Sequence, residues 1–188
     1  ELFDGVTVYP PSVGAIIAIT LAVLLLFASG FVSASETAFF SLSPNDLSEI
    51  EEEGHSSDRR IMALLEDSER LLATILISNN FVNVTIIMLC NYFFAEVVDF
   101  GGSVIVEFLV ITVILTFLLL LFGEIMPKIY SAQHTLKFCR MAAPIIMVLK
   151  KVFSPLSSLL VRSTVIVEKC VAKRNDNISV DDLSQALE

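Results

Sequence analysis

The run Val13–Val32, VGAIIAITLAVLLLFASGFV, decides the fold. Nothing from Pro10 through Ala34 carries a charge. A helix of about 20 apolar residues crosses the hydrocarbon core of a bilayer. The run is too long for the apolar core of a secretory signal, and no basic segment precedes it. It therefore reads as a transmembrane helix, helix-compatible to about Phe40 and stopped by Pro44. Two more such runs follow. Leu71–Ala95 is apolar but carries Asn79, Asn80, Asn83 and Asn91, and Ser103–Phe122 has Glu107 near its start. The loop Glu96–Gly102 is short, acidic and glycine-containing, so the second and third helices form a hairpin.

Composition points the same way. Of 188 residues 55% are hydrophobic and 18% charged, with a mean hydropathy of +0.77. Soluble domains carry about a quarter charged residues. Disordered, collagen-like, coiled-coil and disulfide-rich secreted classes are excluded. Cys90, Cys139 and Cys170 form an odd set without a CxxC pair and read as free thiols in apolar surroundings. The net charge of −9 leaves no basic excess, so no nucleic-acid partner is expected.

The basic residues set the orientation. Residues 1–12 and 96–102 hold none of the 12, segment 41–70 holds Arg59, Arg60 and Arg70, and the rest run from Lys128 to Arg174. By the positive-inside bias, three spans put the N-terminus (1–12) outside and the C-terminus in the cytosol. Segment 44–68 is polar with a partial apolar stripe and reads as a cytosolic helical hairpin broken at Gly54. Its Glu51–Glu53 run is either a solvated helix face or a docking surface for a soluble domain.

Segment 135–174 has two apolar stretches separated by Lys150 and Lys151 and interrupted by Pro144 and Pro155. A fourth span would place both lysines near the bilayer centre, at a cost of several kcal/mol. Juxtamembrane helices lying along the inner face are preferred. The polar tail 175–188 reads as a linker to domains outside this chain. The expected fold is thus all-α: a transmembrane core over 13–134, a cytosolic hairpin and a juxtamembrane belt.

A polar group in hydrocarbon needs a partner, so those inside the spans are functional candidates. Ser29 and Ser33, beside Gly30, share a face of the first helix; the bland reading is close packing and bonding to their own helix. Asn79 and Asn83 share a face of the second, and interhelical hydrogen bonds alone would explain them. At the end of the third, Phe122-Gly-Glu-Ile-Met-Pro-Lys128 holds Glu124 after unbroken hydrophobicity. Pro127 removes the donor that the Gly123 carbonyl would otherwise meet. The bland reading of Glu124 is an interfacial carboxylate paired with Lys128. At 1.5 Å per residue Ser33, Asn79 and Glu124 each lie roughly 10–12 Å inward from their helix ends. All the donors are oxygens, which selects hard cations such as Mg²⁺, Ca²⁺ or Na⁺ over zinc or copper.

At these residues the chain resembles the transmembrane domain of the CNNM/CorC family of magnesium transporters, some of whose members are labelled hemolysin-related. The matching pieces are Ser29-Gly-Phe-Val-Ser33 with Ala-Ser-Glu-Thr-Ala38, then Leu76-Ile-Ser-Asn-Asn-Phe-Val-Asn83, then Phe122-Gly-Glu-Ile-Met-Pro-Lys128. Their order and spacing fit across most of residues 13–170. The resemblance implies a homodimer in a bacterial or archaeal plasma membrane. It implies a dehydrated Mg²⁺ held in an inward-facing cavity and exported, with Na⁺ as coupling ion. By motif match the ligands are Ser29, Ser33, Asn79, the Gly123 carbonyl and Glu124, with Asn83 as the alternative asparagine. Where many relatives have Gly, this chain has Ser78. Cytosolic CBS-pair and CorC-type domains are the implied partners. A membrane-anchored dimeric scaffold without transport is the competing reading, and Glu124 discriminates the two. No nucleophile–base set or phosphate loop suggests an enzyme.

Overall fold

The computed structural model describes residues 6–100 and 104–161. Cys170, the linker 175–188 and the basic residues beyond Val161 lie outside the described residues, as do 1–5 and 101–103.

Helix α1 (Val13–Phe40) begins where the Ser12 hydroxyl accepts the Ala15 N–H at 3.2 Å. Helix α2 (Pro44–Glu53) opens on Ser43, whose side chain and backbone exchange hydrogen bonds with Asp46. It ends at Gly54, whose φ of 59° is the left-handed conformation that glycine adopts without steric cost. Helices α3 (Ser56–Leu65) and α4 (Ser68–Val97) follow. Then come α5 (Val104–Leu118), a π-helical turn (Leu119–Ile125), α6 (Met126–Gln133) and α7 (Thr135–Val152). A last helix, α8 (Ser154–Val161), bends away from α7 by 78°.

Three stretches are long and apolar enough to cross a membrane: α1, α4 and Glu107–Gln133. The third continues past Phe122 through the π turn into α6, because Pro127 falls at the start of α6, where a missing N–H is tolerated. The chain is an all-α integral membrane protein with a helical hairpin, α2–α3, at one end. Its one pair of described strands is small: Val6–Val8 lies antiparallel to Val98–Phe100. The loop expected at 96–102 is therefore partly a strand, tied to the segment before α1. Three-residue strands carry no periodicity to read.

Helix α1 lies at the centre. One apolar cluster joins it to α4 and α5 through Ala22, Ile86, Cys90, Ile111 and Leu115. A second, at the hairpin end, gathers Phe39, Ile61, Leu64, Leu71, Ile75, Cys139 and Ile146 from α1, α3, α4 and α7. Burial pushes the Cys139 thiol up to about 12, which suits packing rather than reactivity.

Helix α7 crosses the foot of the bundle. Near its start Arg140 Nε donates to Asp58 Oδ1 at 2.9 Å, and Arg140 Nη1 lies 3.3 Å from Glu49 Oε1. Near its end Lys150 Nζ lies 3.4 Å from Asp67, the residue that precedes α4. Both ends of α7 are thus tied to the hairpin level, while α7 and α8 together are also long and apolar enough for one bent span. Pro144 does not break this helix, contrary to expectation: Ala142, Ala143 and Ile146 are buried on both sides of it and hold it in place.

Asp58 is 1% exposed. Burial alone would raise its carboxyl, but the Arg140 hydrogen bond, the His55 backbone N–H and the Arg140 charge hold it below the ordinary value. A depressed carboxylate stabilises the fold above its unfolded pKa and stops doing so as pH falls through the native one. Thermal stability should therefore drop as pH falls below about 4. Asp58→Asn should cost about 2–3 kcal/mol at neutral pH and flatten that acid decline. Melting curves from pH 7 to pH 3 on both proteins check it; parallel profiles would contradict it.

Candidate functional site

Between the two apolar clusters lies a polar layer. Gly30 allows it to form. A methyl group on Gly30 would stand 2.9 Å from Pro127 Cγ and 3.1 Å from the Phe122 carbonyl oxygen. Only a hydrogen at that position lets the π turn lie against α1. One on Gly123 would meet Ser29 Oγ at 3.3 Å, so the third span brings its glycine directly onto the Ser29 hydroxyl.

On the other side Ser29 meets α4. Its hydroxyl lies 3.0 Å from Asn79 Oδ1 and also within hydrogen-bond reach of Asn83 Oδ1. A hydroxyl has one proton and cannot donate to both carboxamide oxygens. Either one carboxamide turns to present its NH₂, or the oxygens share a cation. Both asparagines are half-buried and face Ser29, so the question of which one points inward has the answer that both do. Asn80 does not join them: it is exposed and donates to the Leu76 carbonyl on its own helix.

Ser33 is fully buried, and among the described residues its hydroxyl has no hydrogen-bond partner. Thr20, Ser35, Thr74, Ser78 and Thr85 each donate to the carbonyl four residues earlier. Ser29 and Ser33 do not, although the same carbonyls are in reach of a helical serine. Ser78 is thus spent on Thr74.

Glu124 is half-buried, and among the described residues it has no hydrogen bond or ion pair. The pairing with Lys128 that the bland reading required is not formed. Lys128 Nζ instead lies 3.0 Å from Glu36 Oε2 on α1. The reason is packing: α6 lies along α1, which offers Lys128 a carboxylate across the interface. Glu36 was legible as a candidate by its spacing, seven residues from Ser29 on the same helical face, but its partner was not.

The structure thus brings Ser29, Asn79, Asn83 and Gly123 together, with Ser33 one turn along α1 and Glu124 next to Gly123. Among the described residues no three of His, Cys, Asp and Glu cluster, so a site of the kind zinc or copper takes is not found there. Neutral oxygens and a lone carboxylate make a donor set suited to a hard cation.

Comparison with known proteins supplies a context. The family described as the cyclin M transmembrane N-terminal domain (CNNM) matches residues 20–188. A UPF0053 protein of Haemophilus influenzae is 32% identical over 136 residues, 72% of this chain and 31% of its own length. The metal transporter cnnm-4 of Caenorhabditis elegans is 37% identical over 121 residues, 62% of this chain and 25% of its own. The UPF0053 inner membrane protein YfjD of Escherichia coli is 27% identical over 157 residues, 84% of this chain and 36% of its own. The chain therefore spans about a quarter to a third of the curated relatives it matches.

Proposed function

Because this chain belongs to the cyclin M (CNNM) transmembrane-domain family, we propose that it binds Mg²⁺ among its three membrane helices and exports it, with Na⁺ as the coupling ion. The observation that carries this reading is the unpartnered Ser33 hydroxyl, buried one turn from a hydroxyl shared by two carboxamide oxygens. A buried polar group without a partner costs about 1–3 kcal/mol. The cost is recovered when a cation takes the oxygen as ligand. Ser29, Ser33, Asn79, Asn83, the Gly123 carbonyl and Glu124 are the proposed ligands, one charge among neutral oxygens. Mg²⁺ prefers six oxygens in near-octahedral array. The relative named a metal transporter supports the direction of the reading.

The same reading places the α2–α3 hairpin and α7 in the cytosol, following the basic residues. The apolar faces then meet the bilayer and a second copy of the chain. A scaffold without transport would have no use for a carboxylate left unpaired beside Gly123.

Isothermal titration of the purified protein with Mg²⁺, Ca²⁺ and Na⁺ tests the proposal. Saturable Mg²⁺ binding is expected. Ser33→Ala, Asn79→Ala and Asn83→Ala should each weaken it by about five- to thirty-fold, the loss of one neutral ligand being worth about 1–2 kcal/mol. Binding that survives all three unchanged would remove this layer from consideration.

A further inference from the structure

On α1, Ser29, Ser33 and Glu36 follow one another at intervals of four and three residues, so they stand in one row along a helical face. The row runs toward the hairpin end over roughly 10 Å. On the third span, Glu124 and Lys128 are four residues apart in the same way. The third span meets this row at both ends: Gly123 touches Ser29 at one end, and Lys128 meets Glu36 at the other. The Glu36 carboxylate and the Lys128 ammonium thus stand one turn beyond the buried, unpartnered Ser33 hydroxyl, on the side of the polar layer that carries α2, α3 and α7.

From this we propose that Glu36 is a second cation-binding carboxylate, at the mouth of the path to the polar layer, and that Lys128 is a tethered competitor for it. The Lys128 ammonium, 3.0 Å from Glu36 Oε2, occupies the place a hydrated metal cation would take. A cation reaching the mouth displaces the ammonium from Glu36, and the ammonium returns once the cation has passed. The pair is suited to this exchange because it is not sealed: the Lys128 and Glu36 side chains are 38% and 27% exposed. A fully buried pair would be costly to open. The ligand class is a small hard cation, Mg²⁺ or Na⁺, since a lone carboxylate with water completes such a shell. The inference rests on the cation-binding reading of the polar layer.

Neutralising the two partners separately tests it, in the full chain reconstituted in liposomes, with Mg²⁺ as probe. Lys128→Met leaves Glu36 free and should lower the half-saturating Mg²⁺ concentration for entry from the hairpin side by about five-fold. Glu36→Gln leaves an unpaired ammonium at the mouth and should raise it by about five-fold. The double variant should lie between them. Opposite signs are the diagnostic. An ion pair that merely fastens α6 to α1 would lose activity and melting temperature in the same direction for both single variants, and that result overturns the proposal. No change in either variant overturns it as well. Glu124→Gln is run beside them. If it leaves Mg²⁺ binding intact, the reading of the polar layer fails. If it abolishes binding while the two single variants move together, only the role given to Glu36 and Lys128 fails.

Discussion

Glu124→Gln is expected to fold, span the membrane and lose at least about a hundred-fold in Mg²⁺ affinity, a unit charge beside a divalent ion being worth several kcal/mol even at an effective dielectric near 20. Glu124 follows Gly123 in the π turn, and it is half-buried without an ion pair or hydrogen bond among the described residues. Glutamine keeps its volume and removes only its charge. Because no internal contact depends on that charge, the melting temperature in the absence of Mg²⁺ should hold or rise. Titration calorimetry reads the affinity, and a thermal melt with and without Mg²⁺ reads the linked stabilisation. Equal affinity in the two proteins would exclude Glu124 as a ligand.

Gly30→Ala is expected to weaken binding as well, without touching any oxygen of the layer. The added methyl stands 2.9 Å from Pro127 Cγ and 3.1 Å from the Phe122 carbonyl. Proline's ring cannot swing aside as a flexible side chain does, and the carbonyl is backbone. The third span must back away from α1. Overpacking of this kind costs about 1–3 kcal/mol. Gly123 and Glu124 sit just past Phe122 in the chain and move with it, so Ser29 loses its place against Gly123. A shift of about 0.5 Å exceeds what a preorganised site tolerates. Mg²⁺ affinity should fall at least about ten-fold, since this ion demands near-ideal geometry. The melting temperature should fall along with it. Titration and a thermal melt check both; an alanine variant with native affinity would show that the contact of α1 with the π turn does not position the layer.

Much of the molecule was legible in the residues. Val13–Val32 and the Asn-bearing run after Leu71 announced helices by length and apolarity, and α1 and α4 span them. Gly54 marked the break in the hairpin, where the structure has a left-handed turn. Pro144 misled, because a proline's cost is local while α7 is held by burial on both sides of it. The strand Val98–Phe100 was hidden because its partner lies some 90 residues away in the chain.

What the sequence by itself determined was the three long apolar helices, the hairpin, and the chemical type of the polar residues within those helices. Those follow from run length, 3.6-residue spacing and side-chain chemistry, which are properties of neighbours along the chain. Only the tertiary structure decided which polar groups meet. Spacing could not place both Asn79 and Asn83 on one Ser29 hydroxyl, leave Ser33 without a partner, or move Lys128 from Glu124 to Glu36. Such pairings depend on how closely two helices approach and at what rotation, and here Gly30 and Gly123 set that approach through the absence of a Cβ.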